Sequence, residues 1–153
     1  NDYLVGTYPP LKAMGSLNAE QLLTQIASSV DLYFHVPFCS QYCTFCHFAK
    51  EINPSPERVE RYLAALQKEM SWSDAALNGR AIETAFFGGG TPSFLTNHQL
   101  KTLFDMTNTR FDLSKSEVSV ELHPSLAKQA DAVDRVSTLL RGGVNRFVLG
   151  VQT

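Results

Sequence analysis

The stretch Glu117-Val118-Ser119-Val120-Glu121-Leu122 alternates strictly between apolar and polar residues. A period of two is the signature of a β-strand, with Val118, Val120 and Leu122 on one face and Glu117, Ser119 and Glu121 on the other. Downstream, a helical pattern runs from about Leu126 to Arg141 and stops at Gly142-Gly143; a second strand is predicted at Arg146–Val151. Upstream, Thr96 and Gln99 form a capping box ahead of a helix with Leu100, Leu103 and Phe104 on its apolar stripe. Ile82–Phe87 reads as another strand, ended by Gly88-Gly89-Gly90. Ser55-Pro56-Glu57 starts a helix that lines up Val59, Tyr62, Leu63, Leu66 and Met70. Asp31–Val36 reads as the first strand.

The order is therefore βαβαβαβ, which argues for an α/β fold with a parallel sheet and crossover helices. A parallel sheet covered on both faces should be apolar on both. Here Leu32, Phe34 and Val36 oppose Tyr33 and His35, and Phe147, Leu149 and Val151 oppose Arg146, Val148, Gly150 and Gln152. One apolar and one partly polar face fit a partial (β/α) barrel with outer helices and an interior that holds a polar ligand. Four strands cannot close such a barrel, so the chain is expected to be incomplete at this point. Residues 1–30 read as a leader with a short helix capped by Asn18 and Gln21, and 31–153 as the first part of the barrel.

Composition narrows the function classes. The formal net charge of −2 gives no basic field for nucleic acid. Nothing approaches the roughly 20 apolar residues of a membrane span, and the basic-then-apolar order of a signal peptide is missing. The three cysteines lie within eight residues, a poor disulfide framework that suits a reducing compartment. A cytoplasmic protein is expected.

Those cysteines form the strongest chemical signal: Cys39-Ser-Gln-Tyr-Cys43-Thr-Phe-Cys46, a C-x3-C-x2-C run. Three clustered thiolates can ligate three irons of a cubane and leave the fourth iron open to a ligand, where full protein ligation needs four. Zinc is a second reading, with His35 completing a Cys3His set; inert thiols are a third. Gly88-Gly89-Gly90-Thr91-Pro92 lets a ligand approach the backbone, and it lacks the Gly-Lys-Ser/Thr of a phosphate loop. The cysteine loop, the glycine loop, Glu121 and Gln152 all fall at the C-terminal ends of successive strands, the face where βα barrels place active sites.

Together, Tyr33-Phe-His35-Val-Pro37-Phe-Cys39-x3-Cys43-x2-Cys46, Gly88-Gly-Gly-Thr-Pro92, Glu121-Leu-His-Pro124, Gly143-Val-Asn-Arg146 and Gly150-Val-Gln152 resemble the radical S-adenosylmethionine (SAM) superfamily. Within it they resemble the branch of oxygen-independent coproporphyrinogen III oxidase and its relatives. The resemblance implies a [4Fe-4S] cluster on Cys39, Cys43 and Cys46, with SAM on the open iron. It implies SAM contacts from Tyr33 beside the cluster, the Phe45 backbone at adenine, Gly89, Gly90 and Thr91 at the methionine part, Glu121 at the ribose, and Gln152 at the fourth strand end. It also implies reductive cleavage of SAM to a 5′-deoxyadenosyl radical, hydrogen abstraction from a small organic substrate, and a flavodoxin- or ferredoxin-type electron donor. The oxidase carries a further cysteine two residues after its third ligand, where this chain has Phe48. That departure turns the expectation toward another reaction, such as a class C-type methyl transfer, with a haem chaperone or porphyrin-handling relative as the alternative. His35 and His123 are expected to satisfy backbone groups, and Glu57–Arg61 to be a solvated helix face.

Overall fold

The computed structural model describes residues 28–151. Four parallel strands make one sheet: β1 (Ser29–Val36), β4 (Ala81–Gly89), β5 (Glu117–Leu122) and β6 (Arg146–Leu149), in the spatial order β1-β4-β5-β6. Three helices cross between them: α1 (Pro56–Leu77), α2 (Asn97–Arg110) and α3 (Ala132–Arg141). The expected leader helix at Asn18 and Gln21, and the site residue Gln152, lie outside the described residues.

Local chemistry explains the boundaries. The Ser55 side chain accepts from the Arg58 N–H at the start of α1, and Pro56 sits where no amide donor is needed. Asn78, at φ 50°, and Gly79, at φ +74°, take the left-handed conformation that ends α1. Both halves of the Thr96–Gln99 capping box are formed. Gly143, at φ +96°, lets the chain turn out of α3.

The apolar face of the sheet packs against the helices. In register, Phe34 pairs with Phe87 and Phe87 with Val120, so their side chains share that face. Phe34 and Phe87 stack at 4.4 Å, and Phe104 of α2 meets Phe87 at 4.7 Å. Val59, Leu63, Leu66 and Met70 from α1 and Leu100, Leu103 and Phe104 from α2 are buried in the same core. Burying each of the large side chains contributes about 1.5–3 kcal/mol before entropy is counted.

Three expectations are corrected. The third helix does not begin near Leu126. Pro124–Lys128 forms a 3-10 turn whose first amide is capped by the His123 side chain, Leu126 drops into the core, and Gln129 is extended, so α3 starts only at Ala132. The strand predicted at Ile82–Phe87 does not end before the glycines; β4 runs on through Gly88 and Gly89, which pair with His35 and Val36. The region after β1 is not all loop. Phe38–Cys39 (β2) and Glu51–Ile52 (β3) pair in parallel as a two-stranded ribbon. It closes residues 40–50 into an excursion whose feet are held by bonds from the Glu51 N–H to Pro37 O (2.7 Å) and from the Asn53 N–H to Cys39 O (2.9 Å).

No helix among the described residues is long and apolar enough to cross a membrane.

Candidate functional site

The polar face of the sheet carries two successive rows of side chains. Register places Tyr33, Phe86, Ser119 and Arg146 in one, and His35, Gly88, Glu121 and Val148 in the next. The second row lies at the strands' C-terminal ends, where the cysteine excursion and the glycine loop leave the sheet.

Backbone contacts bind these two loops together. The Gly90 N–H donates to Val36 O (2.8 Å) and the Thr91 N–H to Phe38 O (2.8 Å). The Thr91 hydroxyl lies 3.5 Å from Cys39 Sγ. A Cβ on Gly90 would stand 2.7–2.8 Å from Val36 O, Phe38 N and Phe38 O, all of them backbone atoms that cannot swing aside. Glycine is required there so that two chain segments can touch. On the other side of the loop, the Gly89 N–H donates to Glu121 Oε2 (3.1 Å). Gly88 and Gly89 also make room for neighbours: a Cβ on Gly88 would meet the Glu121 carboxylate at 2.8 Å, and one on Gly89 the His35 ring at 2.4 Å.

Of the main-chain groups that this loop could offer a ligand, three donors are already used. The N–H groups of Gly89, Gly90 and Thr91 are all spent inside the protein. What the glycines supply is close approach between the cysteine segment, the second strand end and Glu121.

Tyr33 projects from β1 on the polar face, half exposed, with its ring over Phe86. Its hydroxyl is 3.0 Å from His35 Nδ1. Partial burial, and then the negative charge of Glu121, push the Tyr33 phenol above its ordinary range. His35 Nε2 reaches Ala49 O at 2.8 Å, on the returning leg of the cysteine excursion. That bond makes Nε2 the protonated nitrogen and leaves Nδ1 to accept from Tyr33. Both ring nitrogens are thus committed away from the cysteines, and the Cys3His zinc arrangement is not assembled. His123, as expected, serves the backbone by accepting the Ser125 N–H (3.1 Å).

Cys39 is buried on β2, while Cys43 and Cys46 lie on the half-exposed excursion joined by a turn from the Cys46 N–H to Cys43 O (3.1 Å). All three thiols are free. Phe45 sits on the exposed side of the excursion, and no hydrogen bond among the described residues joins it to the glycine loop or Glu121. Tyr33, Gly89, Gly90, Thr91, Glu121 and Cys39 are brought together; Phe45, Cys43 and Cys46 are held only through the excursion.

Two further residues take part without any signal in the residue pattern. Tyr62, read only as part of a helix stripe, donates its hydroxyl to His35 O and so pins the end of β1 to α1. Burial, then the charges of Glu69 and Tyr33, push its phenol up to about 12. Lys50 donates to Cys46 O (2.7 Å) and lies over the Tyr42 ring. Lysines so often face solvent that only their tertiary neighbours single one out.

The profile of the Radical SAM superfamily matches residues 33–153. The chain belongs to the radical SAM superfamily. Within it, the chain falls in the branch that holds HemW and oxygen-independent coproporphyrinogen III oxidase. It is 39% identical over 123 residues to the heme chaperone HemW of Bacillus subtilis (79% of this chain, 31% of the relative). It is 33% identical over 125 residues to HemW of Escherichia coli (81% and 32%). Oxygen-independent coproporphyrinogen III oxidase of Escherichia coli is 31% identical over 124 residues (80% and 26%). The solved structure of that oxidase, described as a radical SAM enzyme, superposes with a TM-score of 0.77 at 28% identity over 89% of this chain and 32% of its own. The match bears out the partial radical SAM barrel. The chain spans about a third of the length of these relatives.

Radical SAM membership implies a [4Fe-4S] cluster and SAM. The donor chemistry fits: of three free thiols, one stands at the foot of a short excursion and two lie on it, with Cys39 bonded through its strand to a glycine loop that also holds a carboxylate. Among the described residues, no three Cys, His, Asp or Glu side chains already converge on one point. The excursion is folded at its feet and is not gathered at its thiols.

Proposed function

We propose that this chain is the cluster- and SAM-binding part of a radical SAM protein that handles haem or a porphyrin. The observation that carries the site reading is the double tie of the glycine loop, to Val36 and Phe38 on one side and to Glu121 on the other. The cysteine segment and the strand-end carboxylate thus share one glycine loop, bonded to it from opposite sides.

In this reading Cys39, Cys43 and Cys46 hold the cluster, with Cys39 as the fixed ligand and the other two closing from the excursion. Because the N–H groups of Gly89, Gly90 and Thr91 are spent, the backbone at Gly89 and Gly90 can offer only carbonyl acceptors, which suit the ammonium group of SAM. Glu121 has one carboxylate oxygen engaged by Gly89 and the other left for ribose hydroxyls. Tyr33 covers the polar face beside it, and the Phe45 backbone and Gln152 complete the nucleotide contacts. When bound, the reduced cluster and SAM together supply reductive cleavage of the sulfonium and a radical able to take a hydrogen atom. The protein's part is to position both and exclude water.

The haem-handling reading is favoured by the HemW relatives and by Phe48, which stands where the oxidase resemblance calls for a further cysteine. A catalytic role, hydrogen abstraction from an organic substrate with oxidation or methyl transfer and a flavodoxin- or ferredoxin-type donor, is the second reading; the superfamily match favours it. Anaerobic iron and sulfide analysis with haem titration tests the proposal: about four irons per chain and saturable haem binding support it. A colourless divalent metal in place of iron overturns the site reading. Haem indifference, with 5′-deoxyadenosine or S-adenosylhomocysteine formed from SAM in the presence of an organic substrate, moves the function to the second reading.

A further inference from the structure

Of the side chains among the described residues, only Lys50 hydrogen-bonds to the segment between Cys39 and Ala49. Its ammonium donates to Cys46 O (2.7 Å), reaches Phe48 O at 3.5 Å, and stands 4.8 Å above the centre of the Tyr42 ring. Tyr42 precedes Cys43, so one half-buried cation grips the chain at both excursion cysteines. Lys50 is itself fixed, because the next residue, Glu51, is the first of β3 and is bonded to Pro37. Without Lys50 the excursion would depend on its feet, the Cys43–Cys46 turn and the His35–Ala49 bond.

We infer that Lys50 is a positioning residue of the cysteine excursion, tying its two outer thiols to the β2–β3 ribbon and placing a fixed positive charge beside them. The inference rests on the cluster reading for its electrostatic part. A cluster held by three thiolates is anionic and becomes more so on reduction. A neighbouring ammonium stabilises the reduced form more than the oxidised one and so raises the reduction potential. The backbone tie is independent of any metal.

The test uses the full chain in three forms: unchanged, Lys50→Met and Lys50→Arg, with Tyr42→Leu as a fourth that removes only the ring. In the metal-free protein, limited proteolysis within residues 40–49 is compared with cleavage elsewhere. Lys50→Met should be cut faster there alone, Tyr42→Leu to a smaller degree, and Lys50→Arg should retain protection. In anaerobically loaded protein, a redox titration followed by electron paramagnetic resonance should show a more negative midpoint for Lys50→Met and recovery toward the unchanged value for Lys50→Arg. Equal loop cleavage in unchanged and Lys50→Met protein overturns the tie. An unchanged midpoint in Lys50→Met overturns the electrostatic role. If no form takes up iron, the cluster reading and the electrostatic role fail together, and the metal-free cleavage comparison still decides the tie.

Discussion

Glu121 Oε2 accepts the Gly89 N–H at 3.1 Å across neighbouring parallel strands, so the acid at the end of β5 is oriented by the glycine loop at the end of β4. The carboxylate is set before any ligand arrives, with one oxygen engaged and the other without a hydrogen bond among the described residues. Side chains held this way lose little further freedom on binding.

Glu121→Gln should therefore keep the fold while weakening SAM binding. The amide oxygen can still accept from Gly89, but the charge is gone. A hydrogen bond to a charged group contributes about 1.5–3 kcal/mol, so the loss should be on the order of tenfold or more. Equilibrium binding of SAM to loaded protein measures it; affinity equal to that of the unchanged protein would remove Glu121 from the site.

Gly90→Ala should damage the fold itself. Its Cβ would press on three backbone atoms at 2.7–2.8 Å, and overpacking of this kind costs about 1–3 kcal/mol. Gly79→Ala is the control: φ is +74° there but no atom lies within 4 Å, so only backbone strain of about 1–2 kcal/mol applies. Urea unfolding should rank Gly90→Ala the less stable of the two, and the reverse order would contradict the close approach of the two loops.

The three cysteines should separate by stability while behaving alike toward iron. Cys39 is buried on β2, and Cys43 and Cys46 are half-exposed. Each Cys→Ala change should abolish stable cluster loading, measured as iron and sulfide per chain. Only Cys39→Ala should also lower the melting temperature of the metal-free protein, by the roughly 1 kcal/mol that a small buried side chain contributes.

Tyr62 makes a prediction in pH. Its phenol titrates near 10.0 when exposed and at about 12 in the fold, chiefly because of burial. A pKa raised by folding means that the folded chain holds the proton more tightly. The associated stability is complete below pH 10 and is lost as pH rises from about 10 to 12. Tyr62→Phe has no such proton, so its unfolding midpoint should fall less steeply across that window. It should also be less stable at neutral pH by about 1 kcal/mol, having lost the bond to His35 O. Urea titrations at several pH values check both effects.

Short-range chemistry was readable directly. The capping box at Thr96, the Ser55-Pro56 start and the alternation at 117–122 act within a few residues, and the structure has each where the pattern implies it. The ribbon of β2 and β3 was not readable, because two-residue strands carry no periodicity and form only when Cys39 and Ile52 are brought side by side. The late start of α3 was hidden for a related reason. The segment 126–131 has helical composition, but burial of Leu126 and the His123 cap hold Pro124–Lys128 in a 3-10 turn, and the extended Gln129 breaks the run before α3. Arg135 then fixes α3 by donating to Ser93 O (2.9 Å) and Leu95 O (2.7 Å), contacts some 40 residues away in the chain.

By itself, the amino-acid order determined the alternation of strands and helices, the polar inner face and the family to which the cysteine and glycine motifs belong, because each depends on residue type and spacing along one segment. Only the tertiary structure decided how the glycines are used, that His35 is turned from the thiols toward Tyr33 and Ala49, and that Lys50 grips the excursion. Those outcomes depend on which atoms of distant segments come within 3–4 Å of one another, and steric fit and hydrogen-bond partners exist only once the sheet has set its register.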